Sequence, residues 1–133
     1  MKREKLSLKE IDLKDERFRI SYFFSLDKLA ASIKEVGLLN PPLVTQREGR
    51  FILVSGWKRV MACLSLSFSP IPVLVIPGKG ELETFLLAFY ENLAAREFSL
   101  IEKAEIIAKL KKFSEDEKKI VRHYLPLLDI PPT

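Results

Sequence analysis

One cysteine, Cys63, and one histidine, His123, are all the thiol and imidazole chemistry in this 133-residue chain. A single cysteine excludes an internal disulfide framework and a cysteine-rich zinc site. A single histidine argues against a His-based metal centre. A Ser-His-Asp triad would have to recruit that one residue from a lysine-rich late segment. Only five glycines occur, without period, so a collagen-like rod is excluded. No apolar run approaches 18 residues, so neither a transmembrane helix nor a membrane partner is expected. Met1-Lys2-Arg3-Glu4-Lys5 is charged and leads into no apolar stretch, so a secretory signal is not expected and the setting reads as cytoplasmic. No repeat or low-complexity segment is visible.

What is present is a globular balance: 47% hydrophobic and 30% charged residues, on a length that suits about one domain. The net charge of +4 permits a polyanion partner without demanding one. The broken alternation of Leu6, Leu8, Ile11 and Leu13 suits an opening strand over 5–13. Ser25 reads as an N-cap for a helix carrying Leu26, Leu29, Ala30, Ile33 and Val36, with Gly37 as its C-cap. Pro41-Pro42 stops that helix. Residues 43–46 and 50–54 flank Glu48-Gly49 as a hairpin. Trp57, Val60, Met61 and Leu64 then follow helical spacing. An apolar strand at 73–76 and a nearly all-round apolar helix at 82–93 come next. Two capping boxes, Ser99 to Glu102 and Ser114 to Glu117, predict helices to about 112 and 125. The fold class is α+β: a small mixed sheet with packed helices over 1–98, followed by a helical extension over 99–133. Residues 129–133 read as a linker.

Two stretches carry candidate chemistry. In Val54-Ser55-Gly56-Trp57-Lys58-Arg59, a strand passes through a glycine turn into a helix whose first turn holds two cations. Unpaired N–H groups and the helix dipole favour an anion there, and arginine grips phosphate with two hydrogen bonds. The same residues also suit an ordinary turn with two solvated cations. The second stretch, Tyr90-Glu91-Asn92-Leu93, puts a carboxylate at the end of a very apolar helix, where burial demands a cation or metal-phosphate partner. The plain alternative is a solvent-facing Glu91 with Asn92 as a C-cap.

Taken together and in order, these motifs resemble the N-terminal domain of ParB-type partition proteins. Leu29 to Gly37 followed by Asn40-Pro41-Pro42 is similar to that family's glycine-ended helix and Gln-Pro step. Gly56-Trp57-Lys58-Arg59 is similar to its Gly-Glu-Arg-Arg turn, and Ile71-Pro72-Val73 to its Val-Pro-Val strand. Glu91-Asn92-Leu93 and Ser99-Leu100-Ile101-Glu102 are similar to its Glu-Asn-Leu-Gln-Arg and Asn-Pro-Ile-Glu motifs. The resemblance implies CTP binding with Mg2+, slow hydrolysis in some members, and a ligand-dependent homodimer. It assigns phosphates to Ser55, Gly56, Lys58, Arg59, Asn92 and Arg96, and metal to Glu91 and Asn92. It gives Glu91 the catalytic role in any turnover, and places Gly37, Asn40 and Pro41 beside base and sugar. Arg17 or Arg19 stands for an arginine that precedes the first helix. The chain departs from the pattern at Trp57 for Glu, Lys58 for Arg or His, Asn40 for Gln, and Ala95 where the family has Arg.

Rivals on the same scaffold are a small-molecule kinase of the free-serine type, a nuclease, and sulfiredoxin. Sulfiredoxin places a cysteine within the turn, whereas Cys63 lies a helical turn later. Nucleases normally gather several carboxylates around metal. DNA reading in the family lies in a helix-turn-helix beyond this domain. Lys109, Lys111, Lys112, Lys118, Lys119 and Arg122 suit either DNA phosphates or a solvated helix face. The expectation is a CTP-Mg-binding switch in DNA partitioning or DNA-associated regulation, near the nucleoid.

Overall fold

The computed structural model describes residues 1–22 and 25–130. Residues 131–133, the end of the expected linker, lie outside the described residues. The strands are β1 (Lys2–Leu6), β2 (Ile11–Asp12), β3 (Leu43–Arg47), β4 (Arg50–Ser55) and β5 (Ile71–Val75). The helices are α1 (Asp27–Val36), α2 (Trp57–Ser65), α3 (Glu81–Ala95) and α4 (Leu100–Phe113). A last helical run consists of α5 (Glu117–Lys119), a π-turn (Ile120–Tyr124) and α6 (Leu125–Leu127). The sheet order is β1-β5-β3-β4-β2. β1 with β5 and β3 with β4 are antiparallel. β3 with β5 and β2 with β4 are parallel, so the sheet is mixed.

Strand alternation sorts the core into two layers. Ile52 and Val54 of β4 point to a cluster with Phe18, Ile20, Phe85, Phe89, Ile106 and Leu110, on the α3 and α4 side. Leu53, between them, joins Val44, Ile33, Trp57, Val60 and Cys63 on the α1 and α2 side. The hairpin forms as its sequence predicts. Glu48 (φ 56°) and Gly49 (φ 74°) both take the positive φ that a two-residue turn of matching twist requires.

Four expectations need correction. The opening strand is split, because Ser7 and Glu10 form a capping box around a 3-10 turn at Leu8–Glu10 and pull the chain out of the ladder. Ser25 is not the N-cap of α1; Leu26 holds that position, while the Ser25 hydroxyl accepts from the Asp27 N–H at 3.4 Å. The box at Ser99 and Glu102 forms, but Ser114 instead ends α4, and Asp116 caps the last run by accepting from the Lys119 N–H at 3.0 Å. Helix α3 is less enclosed than its composition suggests, with Tyr90 facing outward. Among the described residues no helix is long and apolar enough to cross a membrane.

Candidate functional site

The turn from β4 into α2 shapes one wall of a cavity of about 1090 Å³. Gly56 takes φ 103° there, and a Cβ on it would stand 2.7 Å from Cβ of Pro42. Glycine is therefore required on both counts, conformation and close approach. The turn points the N-terminus of α2 at the cavity, with Lys58 and Arg59 in its first turn among the lining residues.

Helix α3 brings Glu91 and Asn92 to the same place on its last turn. Ser55, buried at the end of β4, links the two: its hydroxyl donates to Oε1 of Glu91 at 2.5 Å and accepts from Nδ2 of Asn92 at 3.4 Å. Arg59 donates to the same Glu91 oxygen at 2.7 Å and to the carbonyls of Asn40 and Pro41 at 3.2 and 3.1 Å. Asn92 anchors its amide on the Ala88 carbonyl at 2.7 Å, and its Oδ1 accepts from Arg96 at 3.2 Å. Asn92 is thus inside α3, and the C-cap is Arg96.

Arg96 is the hub between cavity and extension. It donates to the Ser21 hydroxyl at 2.6 Å and to Oε1 of Glu102 at 2.8 Å. Glu102 meanwhile accepts from the Ser99 N–H at 2.9 Å as half of the α4 capping box. Burial pushes the Glu102 carboxyl up, but the hydrogen bonds from Arg96 and the Ser99 backbone outweigh it and hold it below the usual carboxylate range.

The expected residues therefore converge, with two exceptions. Lys58, Arg59, Glu91, Asn92 and Arg96 line the cavity with Gly56, Asn40 and Pro41, whereas Ser55, expected on the phosphates, is buried behind them with its hydroxyl engaged by Glu91 and Asn92. Gly37 caps α1 through its N–H to the Ile33 carbonyl and is not one of the lining residues. The two early arginines separate. Arg17 pairs with Asp15 at 2.7 Å beside a second cavity, whereas Arg19 lies over the Trp57 ring at 4.6 Å. Trp57 itself is buried among the α1 and α2 core residues. Sequence reasoning missed Ser21 and the first turn of α1, where Asp27 and Lys28 face the cavity. No motif marks them; they arrive through tertiary packing. Cys63 is buried, and burial pushes its thiol up, as expected of an inert core residue.

Two oxygen donors, the Glu91 carboxylate and Asn92 Oδ1, stand beside arginines and a helix N-terminus. Mg2+ typically takes one or two carboxylates plus substrate phosphates, and this donor set fits that mode. Among the described residues no group of three or more His, Cys, Asp or Glu gathers as a metal cluster.

A family model, the ParB N-terminal domain, matches residues 4–93, from β1 to the turn of α3 that carries Glu91 and Asn92. The chain belongs to the ParB N-terminal domain family. It is 36% identical over 104 residues to a nucleoid occlusion protein of Bacillus licheniformis, covering 74% of this chain. It is 31% identical over 118 residues to the chromosome-partitioning protein Spo0J of Thermus thermophilus, covering 81% of this chain. The chain spans 36% and 44% of the length of these curated relatives. Among solved structures it is similar to the C-terminally truncated ParB of Caulobacter crescentus complexed with CTP-gamma-S. The TM-score is 0.62 at 19% identity, over 99% of this chain and 73% of that one, which supports the fold alone. Sulfiredoxin from Arabidopsis thaliana matches at a TM-score of 0.50 and 26% identity, over 59% of this chain and 88% of that one. The α+β expectation, with its helical extension, is met by this ParB N-terminal domain.

Proposed function

We propose that this ParB-family chain binds a nucleoside triphosphate, CTP, with Mg2+ in the main cavity, and acts as a switch in DNA partitioning or nucleoid occlusion. The observation that carries this reading is the convergence of Arg59, Arg96 and the α2 N-terminus on one cavity beside Glu91 and Asn92. The cations and backbone N–H groups suit three linked phosphates. Bound Mg2+ would offset phosphate charge and, in any turnover, polarise the γ-phosphate. Glu91 and Asn92 are the residues to hold it. Ser55 and Arg59 orient Glu91 through hydrogen bonds to one carboxylate oxygen, which leaves the carboxylate fixed before a ligand arrives. Asn40 and Pro41, whose carbonyls receive Arg59, sit where base and sugar would continue from the phosphates. The volume is ample, since ligand sites run to about 1,000 Å³.

Dimerisation and DNA contact are part of the same proposal, as is a location at the nucleoid. They rest on the family and on the relatives named in connection with chromosome partitioning and nucleoid occlusion. The test is calorimetric titration of the chain with CTP, ATP, GTP and UTP plus Mg2+, with Arg59→Ala alongside. Selective CTP binding, lost in the variant, is expected. Glu91→Ala, assayed for phosphate release, separates a pure switch from a slow CTPase. Binding of ATP alone would replace this reading with a kinase, and no binding by the wild-type chain would overturn it.

A further inference from the structure

Residues 16–22 supply two parts of the cavity surround. Ser21 lines it and accepts from Arg96, and Arg19 lies between the rings of Tyr22 and Trp57, 4.5 and 4.6 Å from their centroids. On its other side this segment is gripped by α4. Lys109 is only 8% exposed, although a lysine in a charged run is ordinarily solvated. Its Nζ donates to the Glu16 carbonyl at 2.8 Å, to the Arg19 carbonyl, and to the Tyr22 hydroxyl at 3.1 Å. An ammonium has three donors and no acceptor, and here all three acceptors belong to one segment. Glu105, one turn earlier on α4, lies at 3.7 Å. Burial pushes the ammonium down to about 8, with Glu105 pulling the other way, so the arrangement carries a desolvation cost that a leucine at this position would avoid. Neither helix propensity nor core packing accounts for a lysine here.

We propose that Lys109 is a positioning residue for the main cavity: from α4 it fixes the 16–22 segment, and through it the Arg19–Trp57 stack and the seat of Ser21 on Arg96. Lys109 and Glu102 lie two helical turns apart, on one face of α4. Glu102 reaches the cavity residue Arg96 directly, and Lys109 holds the segment beside it. Seating of α4 and the shape of the cavity are then one equilibrium. The inference rests on the geometry of the cavity surround and not on the identity of its ligand.

Trp57 is the chain's single tryptophan, so its emission reports the Arg19 stack without added label. The experiment uses the full chain without nucleotide and compares wild type, Lys109→Met and Arg19→Ala. Methionine fills the space without a buried charge but leaves the Glu16 and Arg19 carbonyls without their donor, so the thermal midpoint is expected to fall while the chain still folds. Iodide quenching of Trp57 should rise about twofold and amide exchange over 16–22 should quicken about tenfold, as local opening becomes easier. Arg19→Ala should reproduce the quenching change. A folded Lys109→Met variant whose Trp57 quenching and 16–22 exchange match wild type overturns the proposal. Should that variant fail to fold, Tyr22→Phe removes a single acceptor. A smaller change of the same sign then supports the proposal, and no change overturns it.

Discussion

Gly56 sets the geometry of the cavity more sharply than any other single residue. Its φ of 103° is a conformation that side chains resist, and an added Cβ would stand 2.7 Å and 3.0 Å from Cβ and Cα of Pro42. Pro42 is itself rigid, and its backbone is tied into the sheet by the Leu74 N–H to its carbonyl at 2.9 Å. Neither partner can yield cheaply. Gly56→Ala is expected to destabilise by about 2–4 kcal/mol, combining positive-φ strain with overpacking. Urea denaturation checks this, and a midpoint equal to wild type would show that the turn relaxes. Gly37 and Gly49 also take positive φ, but each has open space around its missing Cβ, so the same substitution there meets only conformational strain. The difference between these glycines is invisible in sequence, since it depends on what the fold brings against each.

At the scale of the element, α4 begins on a carboxylate with two duties. Glu102 closes the capping box with Ser99 and neutralises Arg96. Its carboxyl is held below the ordinary 4.5, so the ionised form is favoured in the folded chain. The stabilisation is therefore fully present above 4.5 and is lost as pH falls through the lower folded value. Glu102→Gln retains a side chain able to complete the box but loses the charge. At pH 7 it is expected to be less stable than wild type by about 1 kcal/mol. The gap should narrow in a second measurement in acid, below the lowered folded value, where wild type is protonated too. Paired chemical melts at the two pH values measure it, and a gap that persisted in acid would show that charge is not its source. The box at Ser99 was legible because its partners are three residues apart. So were the β3–β4 hairpin and α2, whose signals are equally local. The opening strand was misread because Ser7 and Glu10 make the same kind of local box inside what looked like alternation. The final helix was misplaced because Asp116 outcompetes Ser114 for the cap. The candidate site was legible where a motif spells it, at Gly56 to Arg59 and at Glu91-Asn92. Ser21 was not, because it meets Arg96 across 75 residues of chain. Lys109 belongs in the same class: Lys111 and Lys112 just after it are exposed, and only packing against 16–22 buries it.

For the molecule as a whole, the question is whether residues 99–133 are an appendage. Sequence suggests a division near 98, since the α+β pattern ends there and charged helices begin. The core crosses that line. Ile106, Leu110, Ile120, Tyr124 and Leu128 share one buried cluster with Phe18, Ile52, Phe85 and Phe89. Phe113 of α4 sits between Phe18 and Phe85, with ring centroids at 6.0 and 5.6 Å. Five buried apolar side chains at about 1.5–3 kcal/mol each amount to roughly 8–15 kcal/mol of burial. That equals the whole net stability of an ordinary domain, about 5–15 kcal/mol. Removing the extension would also uncover the aromatic face of α3 and leave Arg96 without Glu102. A chain ending at residue 98 is therefore expected to lose cooperative unfolding and to bind a hydrophobic dye at neutral pH, as loosely packed states do. Calorimetry and dye fluorescence on the shortened chain test this. A sharp thermal transition in it would show that the sheet and α3 stand alone and that the extension is free to leave. A broad or absent transition would mean that α4 cannot depart unless another apolar surface takes its place on α3. In that case any ligand-driven movement of the extension must be an exchange of partners, with a second copy of this chain or a following domain covering Phe85 and Phe89 as α4 withdraws.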